Sequence, residues 1–373
     1  MNILLVTAVV AGGVGRHVRQ LARGLARQGH AVVVACPTAV AEQFRLAEHG
    51  VHVETVEIGA GRLPLPGPRQ TGRLAALVGR ADVVHAHGVR AGAYAALARR
   101  RSSTPLVVTT HNAPPAGRAG VVYRVLEEVV CRRGDLVLGV SPDLVARARR
   151  RGAAAVGLAV VPADDTPVSG PEERRAARWA VRTELGLPTE GGPPVIVSAG
   201  RLGAQKRTGL VLEAYHRLLA TVDRHPPPVL VLAGDGPERA ELERLAGQGP
   251  GDVRLLGQRD DVPTLLAGAD VAVSAAVWEG QPLFLQEALA AGTPVVATDV
   301  GGTGLVLGGA GLLVPGEGRV AEALAGAVRR VLQEPGLAED LRTRSLARAA
   351  ELPTVEEAVA AALEAYRCLR PGR

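Results

Sequence analysis

Aromatic side chains are nearly missing from this chain: Phe, Trp and Tyr together make 2% of its 373 residues. None of them interleaves with the basic clusters, so no nucleic-acid partner is expected, and the core has to be Ala, Val and Leu packed between strands and helices. Cysteine is as scarce. Cys36, Cys131 and Cys368 are odd in number and far apart, which argues against a disulfide framework and suits a reducing cytoplasm. No apolar run is long enough to span a bilayer, and Ile3 to Ala11 lacks a charged leader and runs into a glycine turn, so it reads as a first strand. The expected location is the cytoplasm, with peripheral attachment to the inner face of the membrane left open. No Asp-x-Asp pair occurs and the histidines and cysteines lack ligand spacing, so no metal is expected. Lysine is the last near-absence: Lys206 is the only one among 43 basic residues, which suggests that a compact, flexible ammonium is needed there.

What is present begins with two carboxylates eight residues apart, in Glu279-Gly-Gln-Pro-Leu-Phe-Leu-Gln-Glu287. Pro282 suits the first turn of a helix, Ala288 to Ala291 continue it, Gly292 ends it, and Pro294 to Ala297 reads as a buried strand. That places Glu279 in the loop before the helix and Glu287 two turns in. A helix N-terminus preceded by Gly280 offers unpaired N–H groups to phosphate, whereas carboxylates bind hydroxyls. The stretch Gly280-Gln281-Pro282-Leu283 therefore suits a diphosphate, Glu287 a ribose and Glu279 a sugar. The plainer alternative is a surface helix with two solvated glutamates.

A second segment, Ser198-Ala-Gly200-Arg201-Leu-Gly-Ala-Gln-Lys206-Arg207, follows the apolar strand Pro194 to Val197 and opens a helix. There Arg201 and Lys206 make a two-cation clamp for a diphosphate leaving group, or else an ordinary solvated helix start. Gly200-Arg201 with Lys206, the loop Ala233-Gly-Asp-Gly-Pro237, Leu256-Gly257-Gln258-Arg259 and the Glu279 to Glu287 motif, in this order, resemble glycosyltransferase family 4. The likeness is strongest from about Val195 to Pro315 and continues, more weakly, over residues 1 to about 165.

The resemblance implies a retaining, metal-independent enzyme. It would move a sugar from a UDP- or GDP-linked donor to a hydroxyl of a glycolipid, glycan or small-molecule acceptor, with no cofactor beyond the donor. It also implies the GT-B fold, two Rossmann-like doubly wound α/β domains facing across a cleft. It aligns His111 with an active-site histidine beside the transferred sugar, sets Gly12 and Gly13 over the donor diphosphate with Arg16 nearby, and makes Arg201, Lys206 and Glu279 catalytic together with His111. Gln258 and Arg259 shape the donor pocket with Gln281 to Phe284.

The chain pattern agrees with that architecture. Apolar runs recur at Ile3, Ala31, Val51, Asp82, Leu106, Leu136 and Val156, then at Val195, Val229, Val253, Val271, Val295 and Gly311, with helical patterns between most of them. Residues 1–165 are expected to form an acceptor-binding domain and 166–353 a donor-binding domain, with a last helix, 354–373, packing back on the first. Ligands of open α/β sheets bind beyond the carboxyl ends of the strands. At that edge of the first domain lie Gly12-Gly-Val-Gly15-Arg16 after the first strand, His85 and His87 after the fourth and His111 after the fifth. The glycine loop does not continue as a dinucleotide fingerprint: Val18 replaces the third glycine and the second strand ends in Cys36 instead of an acid. Ser141 before Pro142 reads as an N-cap.

Charge is divided unevenly, with 21 arginines against 11 acids in residues 1–165. Arg99 to Arg101, Arg132-Arg133 and Arg149 to Arg151 suit an anionic lipid or a phosphorylated acceptor, or are solvated helix ends. Two departures from the family stand out: Ala163-Asp164-Asp165-Thr166 replaces an Asn-Gly-Val-Asp type loop, and Gly304-Leu305 replaces a Pro-Glu pair. A nucleotide-sugar 2-epimerase on the same fold and a catalytically degenerate nucleotide-binding protein therefore stay open beside the transferase.

Overall fold

A computed structural model describes residues 1–8, 12–59, 67–99, 102–115, 117–163 and 169–369, with residue 118 described by its backbone alone. Arg100, Arg101 and the Asp164 to Thr166 part of the altered loop lie outside the described residues. The chain divides into two compact units, Met1–Asp164 with Pro353–Arg373, and Asp165–Leu352.

In the first unit, strand and helix alternate: β1 (Asn2–Thr7), α1 (Gly13–Arg27), β2 (Ala31–Cys36), α2 (Thr38–Gln43), β3 (His52–Thr55), α3 (Pro68–Val78), β4 (Val83–His87), α4 (Val89–Ala98), β5 (Leu106–Thr110), α5 (Gly117–Arg133), β6 (Leu136–Gly139), α6 (Pro142–Arg150) and β7 (Val156–Leu158). Helical crossovers return each strand in the same direction, and the seven parallel strands pair in the order β3-β2-β1-β4-β5-β6-β7. Helices cover both faces, which is why the central strands are apolar along their length instead of alternating.

The second unit repeats the logic with α7 (Pro171–Glu184), β8 (Val195–Ala199), α8 (Thr208–Leu219), β9 (Val229–Ala233), α9 (Arg239–Gln248), β10 (Asp252–Gly257), α10 (Val262–Ala267), β11 (Val271–Ser274), α11 (Leu283–Ala290), β12 (Val295–Asp299), α12 (Thr303–Leu307), β13 (Gly311–Pro315), α13 (Val320–Gln333) and α14 (Leu337–Glu351). Its six parallel strands pair as β10-β9-β8-β11-β12-β13. The last helix, α15 (Val355–Cys368), opens on a Thr354–Glu357 capping box and buries Val359, Leu363 and Tyr366 in the first unit. It lies against α1 at Gly24, where a Cβ would stand 2.4 Å from the Val359 side chain.

In each sheet the strand order reverses once, between β1 and β4 and between β8 and β11. At such a reversal the crossovers leave in opposite directions and open a crevice beyond the carboxyl ends of the two strands.

Local details depart from the sequence reading. β4 runs two residues further, because it is paired on both sides, Thr7 to His87 and His87 to Thr109, so His85 and His87 are strand residues and not loop residues. Pro282 is the extended N-cap of α11 (φ −66°, ψ 108°), so Glu287 is the fifth residue of that helix, about one turn in. Ser141 occupies the N-cap of α6 without a side-chain cap bond, its hydroxyl donating to Asp143 Oδ1 instead. Gly15 is a packing residue: a Cβ there would stand 2.2 Å from the Phe44 ring.

Candidate active site

The reversal in the second unit brings Lys206 and Glu279 together. Past β8 the chain runs through Gly200 and Arg201 to Lys206, and past β11 through Ala275 to Glu279. Lys206 Nζ lies 2.5 Å from Glu279 Oε1, which pairs a half-buried ammonium with a carboxylate in a buried residue. Three consecutive residues bind one loop to the other. Val277 N–H donates to Gln205 O at 2.8 Å, and Gln205 Nε2 donates to Trp278 O at 3.2 Å. Arg207 Nε, Nη2 and Nη1 donate to Ala275 O at 2.7 Å, Ala276 O at 3.1 Å and Gly316 O at 3.0 Å. Burial lowers the Arg207 guanidinium from its usual pKa, against the opposing pull of Glu317.

Backbone approaches account for the glycines in this region. A Cβ on Gly234 would stand 1.9 Å from Gly200 O, and one on Gly236 2.2 Å from Leu202 O, because Leu202 N–H donates to Asp235 O at 2.9 Å. The Ala233 to Pro237 motif thus holds the Arg201 loop in place. Gly301 likewise has no room for a Cβ, which would lie 2.1 Å from Glu279 O, while Gly302 N–H donates to that same oxygen at 2.9 Å.

The other candidates in this unit fall as follows. Arg201 and Gln258 are exposed, at the ends of β8 and β10. Gly280, Pro282 and Leu283 are buried, Gln281 is half-buried, and Glu287 is 4% exposed on α11. Arg259 is occupied: its guanidinium donates to both oxygens of Glu184 and of Asp261, and these bonds raise its pKa. Leu305 is exposed on α12, and its carbonyl accepts from Arg348 Nη2 at 2.9 Å.

The reversal in the first unit carries four buried histidines. His85 and His87 lie on β4, His111 just beyond β5, and His17 on α1, which follows β1. His87 Nδ1 and His111 Nε2 are 3.2 Å apart. His85 is bonded at both ring nitrogens, to Tyr366 Oη and to Thr109 Oγ1, each at 2.7 Å. The His17 ring centroid is 5.5 Å from that of His87 and 5.7 Å from that of His111. Burial lowers the pKa of His17 to about 4 and of His85 to about 3, with the charge of His17 adding to the effect on His85; burial first and neighbouring histidines second hold His87 and His111 well below 6.5. The cluster is therefore neutral at pH 7. Among the described residues no group of three or more His, Cys, Asp or Glu is placed to hold a metal ion. Gly12 is the exposed N-cap of α1 at φ 56°, Gly13 its first residue, and Arg16 half-buried one turn on.

Sequence reasoning missed His17, Thr109, Tyr366 and the bridging roles of Gln205 and Arg207. Nothing in local sequence marks His17 or Tyr366; their partners are set by which strands and helices become neighbours. Arg207 had a signal, because it directly follows the sole lysine.

Comparisons with known proteins show the family and the fold. Residues 12–164 match the family described as glycosyl transferase 4-like domain, and residues 193–334 match glycosyl transferases group 1. The phosphatidyl-myo-inositol mannosyltransferase of Mycolicibacterium smegmatis is 31% identical over 366 residues, 92% of this chain and 86% of that protein. The D-inositol 3-phosphate glycosyltransferase of Geodermatophilus obscurus is 33% identical over 361 residues, 86% of this chain and 78% of that one. Among solved structures, HepE of Anabaena in complex with UDP superposes with a TM-score of 0.80 at 21% identity, covering 99% of this chain and all of that one. Two doubly wound parallel sheets, two family matches in the same order and relatives matched along most of their length lead to one assignment: the chain belongs to the family 4 glycosyltransferases and has their two-domain, Rossmann-like GT-B fold.

Proposed function

We propose that this glycosyltransferase takes its sugar from a UDP- or GDP-linked donor bound by the second unit, and transfers it with retention to a hydroxyl of a phosphate-bearing sugar or lipid-linked acceptor. The observation that carries the reading is the Lys206–Glu279 contact at the strand reversal, with Arg201 on the same loop as Lys206. As the β-phosphate oxygen leaves the anomeric carbon, negative charge grows on the diphosphate and positive charge on the sugar. Lys206 and Arg201 stabilise the first and Glu279 binds the sugar, while the start of α11 adds the backbone N–H groups of Leu283 and Phe284. Glu287 is assigned to the ribose. Arg259, held in place by Glu184 and Asp261, is assigned with Gln258 to the shape of the donor pocket. In the first unit neutral His111 is assigned to the reacting hydroxyl or sugar as a hydrogen-bond partner, and Gly12, Gly13 and Arg16 to the diphosphate.

The two relatives above are named for inositol-bearing acceptors, and the excess of arginine in residues 1–165 favours an acceptor with phosphate. Exposed Arg149 and Arg150 also suit peripheral contact with an anionic membrane surface, whereas Arg132 and Arg151 are paired with Glu128 and Glu127. No helix among the described residues is long and apolar enough to cross a membrane.

The test is thermal melting with UDP-glucose and GDP-mannose, followed by assay of the stabilising donor with inositol, inositol phosphate and phosphatidylinositol. A true donor at a hundredfold excess over its Kd stabilises the native state by about 2.7 kcal/mol. Release of free nucleotide only with acceptor supports transfer. Epimerised donor without acceptor would support the isomerase, and stabilisation without any turnover the degenerate binder.

A further inference from the structure

The Lys206–Glu279 pair belongs to two loops that have no covalent reason to keep register, since 72 residues separate them along the chain. Gln205 and Lys206 reach across from the first loop, but each makes a single side-chain contact, that of Gln205 exposed and that of Lys206 part-buried. Arg207 reaches underneath. Its three bonds end on backbone carbonyls that immediately follow β11 and β13, so one planar guanidinium ties the origin of the Glu279 loop to the end of β13, two strands away in the sheet, and to the residue after Lys206. Thr298 Oγ1 donates to the same Ala276 O at 2.7 Å, which sets the loop origin against β12 as well.

Two features indicate that this arrangement is under constraint. Arg207 stands at φ 48°, ψ 46°, in the left-handed region where glycine is at home and a residue with a Cβ is strained. The same residue is the N-cap of α8, so the turn that aims its side chain inward also fixes where Lys206 emerges. Strain of this kind persists when surrounding bonds over-determine it.

We propose that Arg207 is the positioning residue of the donor site: it holds the Lys206 and Glu279 loops in register, so that the ammonium meets a nucleoside diphosphate at the right distance, without itself touching that ligand. The proposal rests on the reading of Lys206 as a diphosphate ligand given above.

Its test is a double-mutant cycle in nucleotide binding with the full chain, using UDP and GDP as probes in isothermal titration calorimetry. Lys206→Ala weakens the Kd of the nucleotide that binds. Arg207→Met, which keeps the strained backbone and loses the guanidinium, weakens it about tenfold, the equivalent of about 1.4 kcal/mol. The double variant binds no more weakly than Lys206→Ala alone, because the register matters only through the ammonium. Arg207→Gly, free of backbone strain, shows the same loss and recovers affinity in a few millimolar guanidinium chloride, which an effect on general stability would not do. Wild-type affinity in Arg207→Met, multiplicative losses in the double variant, or no rescue of Arg207→Gly would overturn the role of Arg207 while leaving the donor site intact. Wild-type affinity in Lys206→Ala would instead remove the donor-site reading, and the proposal with it; so would failure of the unaltered protein to bind either nucleotide.

Discussion

In the proposed reading, Lys206 and Glu279 are the single residues on which the donor site depends. An ammonium carries charge without the fixed fork of a guanidinium, and in a chain that otherwise uses arginine, its place beside a buried glutamate sets it apart from solvated cations. Lys206→Ala is expected to lower kcat by about 100- to 1000-fold, the usual effect of removing one group that stabilises charge in the transition state. Glu287→Ala is expected to abolish measurable transfer, read by nucleotide release, while the protein remains folded. Turnover at the wild-type rate in either variant would remove that residue from the site. Tyr366 makes the contrasting case. Tyr366→Phe leaves His85 Nδ1 buried without its 2.7 Å partner and should cost about 1 to 3 kcal/mol in urea unfolding.

At the scale of elements, the motifs divide into those that carry chemistry and those that let backbones meet. Gly200, Gly234 and Gly236 allow the extensions of β8 and β9 to bond past the sheet, and Gly301 allows the α12 loop to lie on Glu279 O. Gly234→Ala should therefore destabilise the second unit by about 3 kcal/mol or more, because the obstacle at 1.9 Å is a carbonyl oxygen that cannot rotate away. A melting temperature within 2 °C or so of wild type would show that the two loops can separate at little cost. The same distinction explains the sequence reading. Apolar runs located the thirteen strands among the described residues, since buried parallel strands leave a continuous hydrophobic record. The ends were less legible: β4 extends to His87 because β1 and β5 flank it, and Pro282 precedes α11 because its ψ is extended.

For the whole molecule, the histidine cluster makes stability depend on pH. His17 and His85 have pKa values of about 4 and about 3 against their usual 6.5, so as pH falls below 6.5 the unfolded chain takes up protons that the folded chain refuses. Stability is therefore full above pH 6.5 and is lost through the window down to those lower values. At pH 5 each of the two accounts for about 2 kcal/mol of that loss, and His87 and His111 act in the same direction. The urea midpoint at pH 5 should lie well below that at pH 7.5, and replacing His17 by Gln should flatten the difference. Equal midpoints at the two pH values would mean that the four rings titrate normally in the fold.

Composition, strand and helix periodicity and four spaced motifs were enough to determine the α/β class, the family and the identity of Arg201, Lys206, Glu279 and Glu287 as candidates, because each of these is written in local pattern. Only the tertiary structure decided that Arg259 is consumed by Glu184 and Asp261, that His17 and Tyr366 join the histidines, and that Arg207 binds the ends of two strands. Those contacts join residues up to 281 apart in the chain. Which of them meet is set by the order of strands in the sheets and by which helices pack beside them, information that no short window of sequence holds.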